Sequence, residues 1–476
     1  MTPGQSVAAF LLPFACILAI ALPEARGQMP DAAVTPATHT HPLPVADWSL
    51  KRPVHMSTPR AHGPELEMIR QLARQRGGQP AALAQIIQLC RECEPAVAAE
   101  IIDELASAHV RAGNLNLAAE TRTLLAERHP AEPLARQAVL WLVRLYASSE
   151  VAHARRGQSQ GEAALRQQLP PAVAGALKNA PDTIGSDAAA ATAPAKQQDP
   201  LAVYALHFAT HAMSHDAALA EDPALAFQRA VAARRAGQAK SSQAFLSPLK
   251  HRGADDPWGQ CARAEAWLRE PQSGASTKPV VHCTVAAAPP HLDGVLDDPC
   301  WKIQPVSRGA SAPGATPIGS TLSPDVRWAH DADYLYVAMH CPKLADVAYA
   351  RDDRPRPRDG DVHAHDRVRL LIDVDRDYAS WFELVVDSRG WTAESCWGDA
   401  AWNPTWYVAR GETAAGDAWT IEAAIPREEL SAASLASGAA WACIVERCPP
   451  AASRSDAPKS LTHGPSPAAF SLLLFE

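Results

Sequence analysis

The chain has little that would tie it to nucleic acid, to catalysis or, after its first residues, to a membrane. Beyond Val7–Leu22 no apolar run approaches the about 20 residues that a spanning helix needs. Basic residues are not in excess: 44 Lys and Arg stand against 52 Asp and Glu, a net charge of −8 that removes the electrostatic ground for a nucleic-acid partner. There is no Gly-x-Ser-x-Gly, no His-Glu-x-x-His and no phosphate-cradling glycine loop, so a non-catalytic protein is expected. Cys90-Arg91-Glu92-Cys93 has neither the second pair of a zinc site nor the following His of a haem attachment. Cysteine is sparse and scattered. Setting aside Cys16 leaves an odd number, and hence at least one unpaired thiol in an exported chain. Cys443 and Cys448 are spaced for a local bridge; the pairing is otherwise open.

What is present begins with a compartment signal. Val7–Leu22 is followed by Pro23 and Ala25-Arg26-Gly27, small residues suited to cleavage before Gln28, although no Lys or Arg precedes the run. Residues 1–27 read as a signal peptide of a secreted or periplasmic protein, with no membrane span after cleavage. Residues 28–63 are rich in Pro, Thr and His without hydrophobic periodicity, and read as a flexible leader. At 476 residues the chain has room for several domains.

Helical spacing starts at Pro64, with Leu66, Ile69 and Leu72 on one face, and continues to about residue 156. Gly113-Asn114 separates two helices of similar length, and Pro130 closes the second. Residues 157–200 read as a linker, and helical pattern returns over 201–270 with breaks at Glu221-Asp222-Pro223, Gly237 and Gly253–Pro257. Whether the second helical stretch continues the first is open. Leu105, Ala106, Ala118, Ala126 and Pro130 fall where small and closing residues let two antiparallel helices approach, and on these residues the region resembles a tetratricopeptide-type repeat. A plain helical bundle is the other reading. The resemblance implies a surface for a protein partner.

After the polar stretch 272–278 the pattern changes to short strands. Val368, Leu370 and Ile372 alternate with Arg367, Arg369 and Leu371, and beyond an Asp-rich turn Phe382, Leu384 and Val386 alternate with Trp381, Glu383 and Val385. A period of two broken by a polar turn predicts an antiparallel hairpin. A second hairpin is predicted at Asp325–Met339, turning at His330–Asp333, and further strands at Trp419–Ile425, Trp441–Glu446 and Phe470–Phe475. The fold class expected is an α-helical repeat-like region followed by an antiparallel β-sandwich over residues 279–476.

The same hairpin carries the candidate site. Arg369 and Glu383 lie on its non-core face, placed to pair with each other or to bond hydroxyls. Trp381, Trp391, Trp402 and Trp406 are candidates to stack on sugar rings, with at least half of them expected in the core. Asp373, Asp375 and Asp377 form an Asp-x-Asp-x-Asp run, and Asp331 and Asp333 a shorter acidic turn. Tyr378 and Leu384 stand where an EF-hand needs Gly and an acid, so a hairpin turn and a calcium loop of another kind are the two readings. His363 and His365 belong to the loop Arg351–His365.

The order of the segments LDGVLDDPCW, VRW with DYLYVA, DRVRLLIDVDRD with YASWFELVVDSRG, WNPTWYVA, DAWTIEAAIPREEL and FSLLLFE resembles carbohydrate-binding module family 9 and its broader relatives. The resemblance covers Val280–Glu476. It implies a β-sandwich, a carbohydrate ligand and structural calcium. This chain departs from the family's sugar clamp: His363 stands in place of one clamping Trp, His463 and Gly464 in place of the other, and the acidic and basic contact positions are exchanged as Arg369 and Glu383.

Overall fold

The computed structural model describes residues 63–158, 199–271, 274–302, 307–308, 324–349, 360–433, 435–450 and 464–476. The expected signal peptide and leader up to residue 62, residues 159–198 of the expected linker, loop residues 351–359 and His463 lie outside the described residues.

Several helices begin on the same dipeptide. Asp199-Pro200, Asp222-Pro223 and Asp256-Pro257 open α7 (Pro200–His215), α9 (Pro223–Arg235) and α11 (Pro257–Arg269). In each, the Asp carboxylate accepts a first-turn N–H: Leu201 N at 3.0 Å, Ala224 N at 2.8 Å and Gly259 N at 2.7 Å. Proline at the first helical position gives up no intrahelical bond, so the pair is an efficient start signal. Gly113, at φ 69°, ends α3 (Pro95–Arg111), and Asn114 caps α4 (Leu115–Arg128) by accepting from Leu117 N at 3.1 Å. The helix hairpin is the part of the repeat expectation that the structure shows.

The helices form one continuous stack. The first two, α1 (Gly63–Gln75) and α2 (Ala82–Leu89), pack on α3, α3 on α4, and α4 on α5 (Pro133–Ala147). Across the undescribed stretch, α7 returns to pack on α5, and α9 packs on both. The short α8 (Ala217–Ala220) leads into α9, which carries α10 (Ala239–Lys250), which in turn carries α11. Residues 199–269 therefore continue the first helical block. A further short helix, α6 (Ser149–Gln158), runs from α5 toward the strands.

The strands form a single hydrogen-bonded sheet. In chain order they are β1 (Val280–Val285), β2 (Ser307–Arg308), β3 (Asp325–His330), β4 (Tyr334–Pro342), β5 (Arg367–Asp373), β6 (Phe382–Asp387), β7 (Thr392–Cys396), β8 (Tyr407–Glu412), β9 (Ala418–Pro426), β10 (Ala440–Cys448) and β11 (Ser471–Phe475). The spatial order is β7-β6-β5-β10-β11-β1-β3-β4-β9-β8, with β2 beside β3; a last short helix, α12 (Pro299–Lys302), presents the buried Trp301. The expected wholly antiparallel sandwich is corrected at β1, which pairs parallel to both β11 and β3 and so joins the two groups of strands into one sheet. The sheet curls around its own core. Trp328, Val337, Leu370, Leu384, Ile421 and Val445 from six strands share one buried cluster. Edge strand β8 reaches the β6–β7 turn, where Arg410 Nε donates to the Ser388 carbonyl at 3.2 Å.

The helical stack covers part of the outer face. Leu371, Ala442, Ile444 and Leu472 pack against Phe227 and Val231 of α9 and Leu246 and Leu249 of α10. Lys278, in the stretch read as a polar boundary, is buried and donates from Nζ to the carbonyls of Pro467 and Phe470, at 2.5 and 3.2 Å. All nine described cysteines are free. The local bridge is excluded by geometry: Cys443 points into the curled core, and Cys448, five residues on, lies on the other face.

Candidate functional site

Beyond the helices, the outer face of β10-β5-β6-β7 carries a row of partly exposed charged side chains, aimed from it by the period of two. Arg369 is its centre. Its Nε donates to Glu383 Oε1 at 2.5 Å, and its Nη1 donates to Glu446 Oε2 at 3.0 Å. Ser395 Oγ on β7 donates to the other Glu383 oxygen at 3.2 Å. Arg369 and Glu383 are each about one-quarter exposed and Glu446 about half. Burial alone would make the guanidinium easier to deprotonate; Glu383 and Glu446 outweigh it and hold it charged. The result is a fixed row of planar groups with acceptor oxygens still facing water, which suits a ligand made of hydroxyls.

Trp391 stands on the same face, opposite Asp387 at the end of the β6–β7 hairpin, and is half-buried. The Arg389 guanidinium lies 3.7 Å from its ring centroid and is held there by Asp387 Oδ2 at 2.9 and 2.6 Å. His363 is exposed nearby; its carbonyl accepts from Arg367 Nη1 at 3.1 Å. The other three tryptophans take structural roles, where at least two of the four were expected to be core residues. Trp402 packs at 4.5 Å on Phe382 in the core, and Trp406 is buried with Nε1 donating to Glu394 at 2.5 Å. Trp381 does face outward, but Gly464 lies on it: a Cβ there would sit 2.5 Å from the ring. Gly464 thus leaves room for the indole of Trp381, the residue just before β6.

The Asp-rich turn between β5 and β6 is the second polar centre. Glu150 of α6 reaches it from the helical stack, and oxygens of Glu150, Asp373 and Asp375 lie within 4.8 Å of one another. Glu150, Asp373 and Asp377 are fully buried. The loop needs left-handed backbone at Arg376 (φ 54°) and Tyr378 (φ 53°), which costs about 1 kcal/mol at each. Backbone amides turn inward: Tyr378 N donates to Asp373 at 2.7 Å, Ser149 N to Asp375 at 2.7 Å, and Val374 N to Glu150 at 2.6 Å. Ser380 Oγ bonds both Asp377 and Glu150, at 2.8 and 3.2 Å. Burial first, and the neighbouring carboxylates second, push Glu150 and Asp373 well above the usual carboxylate range; the same causes raise Asp377 to about 7. The donor set is all oxygen and converging, and a hard cation such as calcium would supply the counter-charge that lets these buried carboxyls ionise.

Of the two readings of Asp331 and Asp333, the geometry follows the turn. Asp331 spends Oδ1 on the amides of Asp333 and Tyr334, at 2.8 and 2.7 Å, and Oδ2 on the Tyr336 hydroxyl at 2.6 Å. Two contributors escaped the sequence reading. Glu446 had a signal, since it alternates with Ala442 and Ile444 along β10. Glu150 had none: after Ser148, whose Oγ caps Val151 N at 3.0 Å, it reads as an ordinary first-turn acid.

No protein-family model matches the chain, and no curated protein matches it. Among solved structures it is similar to a family 9 carbohydrate-binding module from Caldicellulosiruptor kristjanssonii in complex with glucose, at 16% identity, TM-score 0.28, over 41% of this chain and 95% of that one. It is also similar to a candidate carbohydrate-binding protein from Bacteroides uniformis, at 15% identity, TM-score 0.29, over 42% of this chain and 100% of that one. Among the described residues no helix is long and apolar enough to cross a membrane.

Proposed function

We propose that this chain is an exported, non-catalytic carbohydrate-binding protein whose site is the outer face around Arg369, Glu383, Glu446 and Trp391. The observation that carries the reading is the fixed ion-pair row beside a half-buried tryptophan. Pyranose rings offer hydroxyls to the charged row and C–H faces to the indole. Export rests on residues 1–27, and calcium is proposed as a structural ion at Glu150, Asp373, Asp375 and Asp377. The helical stack then holds the sugar-binding face at a fixed distance from whatever its far side meets. Retention of the full chain on a panel of immobilised glycans, compared with its Trp391→Ala variant, tests the site.

A second reading has its own support. Trp381, Trp402 and Trp406 are buried, and the helices cover part of the outer face. In that reading the chain is an envelope assembly protein and the curled sheet is a structural module. A folded wild-type chain that retains no glycan yet co-purifies with one envelope protein supports this reading over the first.

A further inference from the structure

The turn into α9 and the α9–α10 hairpin border a half-open cavity of about 280 Å³ that neither polar centre uses. Its walls include Pro223, Phe245 and Leu249, and Arg229 faces into the same lining. Arg229 is unlike the arginines around it. Arg234 and Arg235 on the same helix bind Glu265 and Asp199, and Arg252 at the rim binds Asp256. Arg229 has no carboxylate among the described residues. Its guanidinium lies 4.1 Å over the Phe245 ring, Nη1 meets only the Met213 sulfur at 3.4 Å, and Nε is buried without an acceptor.

A half-buried cation without a counter-charge is costly, and an anion in the cavity offsets that cost. Burial also pulls the Arg229 pKa down, as expected where no counter-charge is built in. We propose that this cavity binds a small organic monocarboxylate with an aromatic or short aliphatic body, its carboxylate on Arg229 and its body against Phe245, Pro223 and Leu249. The guanidinium fork matches a carboxylate in two-pronged geometry. The apolar walls set the site apart from one for an inorganic anion. Glu221, exposed in the lining, repels dianions and favours a single negative charge. The volume is below the about 300 Å³ at which pockets for drug-sized ligands begin, so the body is small. The site is separate from the proposed glycan face and does not depend on it.

Titration calorimetry on the full chain, with benzoate, hexanoate, the neutral isostere benzamide and inorganic phosphate, tests the proposal. Benzoate or hexanoate is expected to bind at about 10 mM or below, and benzamide and phosphate at least about ten-fold more weakly. Arg229→Gln should lose about ten-fold or more of the carboxylate affinity, and Phe245→Leu should weaken benzoate more than hexanoate. Equal binding of benzoate and benzamide by the wild-type chain overturns the proposal, and this comparison needs no variant to fold. So does the absence of binding by both carboxylates, or unchanged affinity in a folded Arg229→Gln chain.

Discussion

Glu265 is a single residue on which helix and sheet converge. It is almost fully buried and accepts from Arg234 Nη1 at 2.6 Å and from Arg376 Nε, on the β5–β6 loop, at 2.7 Å. Burial alone would raise its pKa; Arg376 and Arg234 outweigh it and bring it to about 2. A folded pKa below the unfolded one adds stability that is present above about pH 4.5 and is lost as the pH falls toward 2, on the order of 3 kcal/mol. Urea unfolding at stepped pH should show that loss in the wild-type chain and a flatter dependence in Glu265→Gln. The variant should also be less stable by about 3 kcal/mol at neutral pH, because Arg376 is left buried without its partner. Identical pH slopes in the two chains would contradict this. At this scale the Arg369–Glu383 pair was legible, since alternation along one hairpin puts both on the same face. The fate of Trp381 was not. Its covering residue, Gly464, is more than 80 positions away, and no periodicity connects them.

Among the elements, the pairs Asp222-Pro223 and Asp256-Pro257 showed in the sequence as breaks between helices, and the β5–β6 hairpin was readable because its signal is local. The loop between those strands shows where local reading stops. Asp373, Asp375 and Asp377 announced an acidic turn, but the fourth carboxylate arrives from α6 by tertiary packing. If a cation holds this junction, it ties the helical stack to the sheet through Glu150. Calcium at about 100 times its dissociation constant would then stabilise the fold by about 2.7 kcal/mol. Thermal unfolding of the wild-type chain is expected a few degrees higher in calcium than in chelator, with the difference abolished in Glu150→Gln. Equal midpoints in calcium and chelator would remove the ion from the account.

For the whole molecule, composition and segment order gave helices followed by strands, and the structure agrees. The single sheet was hidden because β1 joins it by parallel pairing to strands distant in sequence, and short strands do not declare their partners. The burial of Lys278 was hidden too: it closes the polar stretch 272–278, yet its ammonium is buried against the carbonyl of Phe470 at the entry to the last strand. Clusters running from Val139 and Leu142 of α5 into Leu370 and Phe382, and from Phe227 into Leu371, make one core of helices and sheet. Heating the full chain should therefore give one cooperative transition by both far-ultraviolet and tryptophan signals. Two separate transitions, helical before sheet, would show independent bodies.

The central claim is that sugar binds on the face of Arg369 and Trp391. Its most direct measurement is retention of the full chain on a broad panel of immobilised glycans, run beside Trp391→Ala and Arg369→Ala with folding checked by circular dichroism. The account predicts that at least one glycan retains the wild-type chain, that Trp391→Ala weakens this by about ten-fold or more (a stacking loss of about 1.4 kcal/mol), and that Arg369→Ala weakens it too. A folded wild-type chain that no glycan retains, or retention unchanged in both variants, would contradict it.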